Sequence, residues 1–470
     1  MNANVTLFLL CAIWLGLTWL YCRMRWACFD LFDLYVMMVA VYYGGHGLVI
    51  APLQDLSSYD PGLIVVIYVL LGISLALLKI SVSSLPAKIR SELRLCSIAE
   101  TASETPVSAL VALVSAICLL SLYGYQHYSV VINATSDQVL GIPYWFTSLK
   151  MIVYGGAAEG LFVATLVVAM RCSGRRRSIL LLLLLATVGL QALYGRRGFL
   201  ELLILGYLFS AAVSGWDPFA PRKVVRWALA LAALFVFSNV YQNYRQELSI
   251  PDSSQGEASQ TNSKVFTAAM TDWERTGANV RDRDGVWQYN YVVIDNLQRS
   301  GSLEGALLVQ AVLNEIPAVF WPDKTYLDPD AQFNEAYGLA PNDYATNLFG
   351  LTMADFGYAG PIMFIVYMLT TFAVCGKMLS LTKASPTLFI LTLGATLTSL
   401  LAIESGYDGL FGIVHMVAMV FIGFVVLIGW RIIWHPQPKS FPPTVYYRAR
   451  EVGDGVDRLR RDGLTAERHS

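Results

Sequence analysis

Two adjacent arginines, in Gly195-Arg196-Arg197-Gly198, open an otherwise apolar run, and Glu201 follows Arg197 by four residues. That spacing lets the carboxylate meet the guanidinium one helical turn away. Guanidinium groups stay charged and hold anions in a two-pronged grip, so the pair points to an anion. A second group, Glu404, Tyr407 and Asp408 with His415 about two turns later, offers side chains able to carry a proton. A third lies in the polar interval from Gln242 to Tyr358. It holds Arg245, Arg299, Glu315 followed by Pro317, the cluster Phe320-Trp321-Pro322, and Asn342-Asp343-Tyr344 leading to Asp355. Asp343, Asn347 and Asp355 suit a base or a hydroxyl-orienting role, because grouped acids beside a bilayer are not topology markers. The rings of Phe320, Trp321, Tyr326 and Tyr337 form either an interfacial belt or platforms for sugars. Asp328, Asp330, Asn334 and Glu335 lack the glycine and closing glutamate of a calcium loop, so no metal is assigned.

The elements that must position these groups are apolar. Of 470 residues 56% are hydrophobic and 14% charged, against about 25% charged in soluble domains. The seven cysteines fall in or beside apolar runs without metal or redox spacing. Runs of about 20 apolar residues predict eleven membrane-spanning helices. They lie at 5–22, 31–51, 62–80, 107–126, 148–170, 178–194, 198–214, 224–241, 357–376, 386–403 and 411–430. Around Gly195 the pattern fits either one interrupted helix or a tight helical hairpin. The first run ends in Arg23 and Arg25 rather than a small-residue cleavage site, so it reads as a retained span.

Short cytoplasmic loops collect Lys and Arg. Segments 23–30, 79–106, 171–177, 215–226, 377–385 and 431–470 together hold 23 of the 33 basic residues. Among the short loops of the opposite set only Lys150, Arg196 and Arg197 are basic. The expectation is an outer amino terminus, an inner basic tail and a large outer loop. Four regions follow: spans over 1–241, a periplasmic loop with amphipathic helices over 242–356, spans over 357–430, and a cytoplasmic tail over 431–470. The arginine pair then lies on the side where topology alone disfavours it. His46 sits near the outer end of the second span. Glu159 lies mid-span among small residues, and Glu201 serves more naturally as an internal partner for an arginine than as a catalyst.

Three short motifs carry a family resemblance: Gly195-Arg196-Arg197-Gly198, Glu315-Ile316-Pro317, and Asn347-Leu348-Phe349-Gly350 running through Asp355-Phe356-Gly357-Tyr358-Ala359-Gly360-Pro361. With the eleven spans, they resemble the Wzy-type O-antigen or oligosaccharide repeat-unit polymerases. The resemblance implies an all-α polytopic fold of the GT-C-like kind in a bacterial inner membrane. It implies a glycosyltransferase acting without a cofactor on undecaprenyl-diphosphate-linked oligosaccharides, with a flippase and a chain-length regulator as possible partners and no nucleic acid. On it, Arg196 and Arg197, helped by Arg245 and Arg299, hold the diphosphate leaving group. Glu315 and Asp343 are the candidate bases, with Glu404, Asp408 and His415 behind them, and Trp321 and Tyr344 hold sugar. An O-antigen ligase is the nearest alternative, but the interval from Gln242 to Asp355 has no histidine. A transporter or flippase is the alternative of another class, and the internal repeat common in transporters is not seen.

Overall fold

The protein is described here from a computed structural model, which covers residues 2–128, 158–194, 196–227, 229, 286–315, 329–337, 346–401, 403 and 406–407. The chain divides into two units, Met1–Val417 and Ala418–Ser470, and the second lies outside the described residues. Among the described residues the fold is all-helical, with one isolated bridge between Asp30 and Arg94. Four stretches of the described residues are long and apolar enough to cross a membrane: Ala3–Cys28, Leu31–Ile50, Pro61–Ser83 and Leu348–Thr382. The pair Leu95–Ser103 and Val107–Leu119, bent by 96°, makes a fifth if it counts as one span. The expected spans at 224–241 and 411–430 lie outside the described residues, apart from 224–227 and 229.

The first group of helices is α1 (Ala3–Arg25), α2 (Leu31–Ala40), α3 (His46–Ile50) and α4 (Pro61–Ser83), with a π turn at Val41–Gly45 joining α2 to α3. Asp30 and Asp33 start α2 by capping each other: each carboxylate accepts the other's backbone N–H, at 3.0 and 3.1 Å. Asp60 caps α4 and Pro61 pre-sets its first turn. Two short helices, α5 (Ala87–Glu92) and α6 (Leu95–Ser103), lead to α7 (Val107–Tyr128).

The second group centres on α8 (Ala158–Arg171), against which pack α6, α7, α9 (Gly174–Tyr194), α10 (Arg196–Ser214) and α16 (Pro386–Leu401). Small residues make this possible. A Cβ on Gly160 would lie 2.1 Å from the Ile390 carbonyl oxygen and 2.5 Å from the Gly394 nitrogen, so α8 and α16 cross backbone to backbone. The question of one helix or a hairpin at Gly195 is answered by Gly206. A straight helix would carry it about 48 Å from Gly174 at 1.5 Å per residue. Gly206 instead lies beside Phe162, whose ring would be 3.2 Å from a Cβ there. The chain therefore turns back, and Arg196 and Arg197 form the first turn of α10 at the hairpin tip.

The remaining helices are α11 (Val286–Ser300), α12 (Ala306–Glu315), α13 (Pro329–Ala336), α14 (Leu348–Phe356) and α15 (Gly360–Thr382). α15 packs on α4, α14 and α16 and so ties the two groups together. Gly357, at φ +58°, breaks α14 from α15 with a backbone conformation that side chains resist.

Side-chain contacts sort the segments into two ends. At one end Trp19 Nε1 donates to Phe219 O at 3.0 Å, Leu31 N to Leu93 O at 2.9 Å, and Lys383 pairs with Glu92 at 3.1 Å. Arg171 reaches Ser103 there as well. Segments 23–30, 79–106, 171–177, 215–226 and 377–385, which charge counting groups together, thus meet one another. At the other end Asn4 Nδ2 donates to Ala51 O and Gln54 O, both at 2.7 Å, and Tyr291 takes the Asp60 N–H at 2.9 Å.

Candidate functional site

The second end is built around α14. Asn347 caps it, its side-chain oxygen accepting from Gly350 N at 2.9 Å. The same oxygen accepts from Tyr43 Oη at 2.9 Å, and Tyr43 Oη accepts from Asn290 Nδ2 at 2.6 Å. Asn290, Tyr43 and Asn347 are all buried, so this chain joins α11, the π turn and α14 through bonds that water cannot replace. Tyr43 O, which accepts the His46 backbone N–H, also accepts from Tyr68 Oη at 3.0 Å. Gly350 is where α11 lies on α14: a Cβ there would fall 2.4 Å from Asn290 Oδ1 and 2.5 Å from the Tyr289 ring. His46 follows the π turn, and its buried Nδ1 has no hydrogen-bond partner among the described residues.

Asp355, expected as a base or hydroxyl-orienting acid, has a structural post. Its two carboxyl oxygens accept from Leu307 N at 2.9 Å and Leu308 N at 2.8 Å, capping α12, and Oδ2 also accepts from Tyr407 Oη at 2.9 Å. The group is fully buried and accepts three hydrogen bonds. Asn347 is likewise a cap and a packing residue. Segment 303–305 pairs with 354–355 through Leu303 N to Ala354 O at 2.8 Å and Gly305 N to Asp355 O at 3.2 Å. Tyr337 meets Phe333 edge-on, and Phe333 in turn meets Tyr289. Burial, and secondarily the nearby Asp355 charge, pushes the Tyr337 hydroxyl up to about 12. Tyr337, one of the candidate sugar platforms, is half-buried against Phe333.

At the same end lies an acidic pair. Glu159 and Glu201 are both buried and close enough to interact, and Thr398 Oγ1 bonds Glu159 Oε2 at 2.9 Å. Thr398 lies one turn before the end of α16, and Tyr407, a few residues further on, bonds to Asp355. Glu201 lies one turn into α10 from Arg197. The backbone thus brings the arginine pair, Glu201 and Glu159 to the same end as α11–α14.

Arg299 ends α11 exposed to solvent and is paired with Asp295 at 2.8 Å, one turn away. Glu315 closes α12, and the structure describes it, Arg196 and Arg197 by backbone alone. Arg245, Trp321, Asp343, Tyr344, Glu404, Asp408 and His415 lie outside the described residues.

Reading the sequence missed a charge cluster at the opposite end. Asp33, fully buried, takes Lys79 Nζ at 3.0 Å and the Tyr21 hydroxyl, with Arg25 at 3.6 Å. Asp30 meets Lys79 at 3.4 Å and Arg25 at 3.7 Å. Burial foremost, then the Asp33 charge, raises the Asp30 carboxyl above its ordinary range. The signal was available: Asp30-x-x-Asp33 ahead of an apolar run is a capping pattern.

Fold and contacts define a helical membrane protein. Searches against family models, curated proteins and solved structures find no match.

Proposed function

We propose that this protein is a membrane glycosyltransferase that joins lipid-diphosphate-linked oligosaccharide repeat units on the outer face of a bacterial inner membrane. In this reading about eleven helices span the bilayer, the amino terminus and the 242–356 loop are periplasmic, and the basic tail is cytoplasmic. The observation that carries it is the gathering of Arg196 and Arg197 at the hairpin tip, above the buried acids Glu201 and Glu159, at the end that holds α11 to α14. Charge counting puts that end outside, where basic residues have no topological reason to be.

The chemistry is a substitution at the anomeric carbon. An acceptor hydroxyl oxygen bonds to that carbon, the bond to the diphosphate oxygen breaks, and the lipid diphosphate leaves with the electron pair. A carboxylate takes the hydroxyl proton. Arg196 and Arg197, with Arg245 as a loop-borne helper, neutralise the charge growing on the leaving group. Arg299 can help only by exchanging its Asp295 partner for phosphate. Glu315 and Asp343 are the proposed bases, with Glu404, Asp408 and His415 as alternates, and Trp321 and Tyr344 hold the sugar. Glu201 is assigned to orienting the arginine pair from within α10.

The test is extension of a purified lipid-linked repeat unit in vitro. Arg197→Ala and Glu315→Ala should abolish chains longer than one unit while the protein still elutes as the folded species. Normal long-chain product from both variants would refute the assignment. Transfer to a lipid A core acceptor instead of a second repeat unit would favour a ligase, and movement of the intact repeat unit across vesicles without bond formation would favour a flippase.

A further inference from the structure

The two helices of the outer segment differ in what they show to their surroundings. The outward positions of α11 near its end are Asn296, Gln298 and Arg299, all polar. α12 has no charge before Glu315. Its inward face is Leu307 and Ala311, both buried. Its outward face is apolar too: Val309 is 58% exposed and Val312 44% exposed, one turn apart. Gln310 and Asn314 satisfy each other at 2.8 Å along the flank.

An apolar outward face needs an occupant, and the position of α12 selects one. Its first turn is fixed to Asp355, and Gly360, which opens α15, lies against the backbone of Met353 (2.6 Å from a Cβ placed on it), so α12 starts beside that span's end. Tyr358, in the turn just before α15, is 77% exposed and Ile362, in its first turn, is 64% exposed, a lipid-facing start preceded by an interfacial tyrosine. We infer that α12 lies in the bilayer interface with Val309 and Val312 among the acyl chains, continuing the lipid-facing stripe of α15. The helix then anchors the outer segment to the membrane, and the Asp355 cap fixes its depth. This anchoring does not depend on the catalytic reading.

Spin labels at Val309→Cys and Val312→Cys, with Gln298→Cys as the water-side control, test the inference. The full chain is placed in phosphatidylethanolamine–phosphatidylglycerol nanodiscs, with the accessible cysteines Cys28, Cys96, Cys118 and Cys172 replaced by serine. Oxygen collisions should exceed those of a water-soluble nickel chelate at 309 and 312, and the order should reverse at 298. Nickel relaxation at 309 and 312 equal to that at 298 would overturn it. A readout on the unsubstituted chain guards against misfolded variants. A carbene-generating lipid should label the peptide over 306–315 and spare that over 295–300, and equal labelling of the two would also overturn it.

Discussion

Asp355→Ala separates an anchor from a catalyst. In the folded protein this carboxyl accepts two backbone N–H groups, at 2.9 and 2.8 Å, and the Tyr407 hydroxyl at 2.9 Å. Removing it strands three donors, two of them buried and the third, Leu308 N, partly so. Each unpaired buried donor costs about 1–3 kcal/mol, so the loss is about 3–6 kcal/mol once water reaches some of them. Tyr407→Phe removes one hydroxyl and leaves the carboxyl its two backbone bonds, for about 1–2 kcal/mol. In the Asp355→Ala background Tyr407→Phe should be nearly neutral, which gives a coupling of about 1–2 kcal/mol in the double-mutant cycle. The assay is thermal unfolding in detergent, read by a dye that reacts with thiols as the buried Cys11, Cys22 and Cys375 become exposed. Asp355→Ala should shift the transition down well beyond Tyr407→Phe. An unchanged transition with lost polymer product would instead make Asp355 a chemical group, and the capping argument would fail.

Gly350→Ala forces a methyl to within 2.4 Å of Asn290 Oδ1 and 2.5 Å of the Tyr289 ring, both buried, and should cost about 1–3 kcal/mol in the same assay. Gly160→Ala meets backbone on α16, at 2.1 Å from a carbonyl that has nowhere to go, so about 3 kcal/mol or more is expected, with loss of folded protein on size exclusion. Asp33→Ala leaves Lys79 without its 3.0 Å partner and should cost about 3 kcal/mol, whereas Asp30→Ala, at the more exposed corner of the cluster, should cost less. Equal costs for the two would show that burial does not rank them. Arg299→Ala should leave stability nearly unchanged, since exposed pairs such as Arg299–Asp295 contribute about 0.5 kcal/mol.

The amino-acid sequence by itself determined that the chain is helical and membrane-embedded, because apolar run length and charge segregation are local properties written residue by residue. Helix starts are local too, since a cap acts within one turn, but it was the structure that identified Asp30 with Asp33, Asp60 before Pro61, and Asn347 as caps. The roles of the motif residues were not legible. Asn347, Gly350 and Asp355 looked like loop chemistry because their partners, Tyr43, Asn290, Leu307 and Tyr407, lie up to 304 residues away. Only the fold decided that these residues hold helices together, that α9 and α10 form a hairpin rather than one interrupted helix, and that Glu159 meets Thr398 and Glu201. A buried polar group's function is set by what lies within about 3 Å of it, and that distance is a property of the tertiary structure alone.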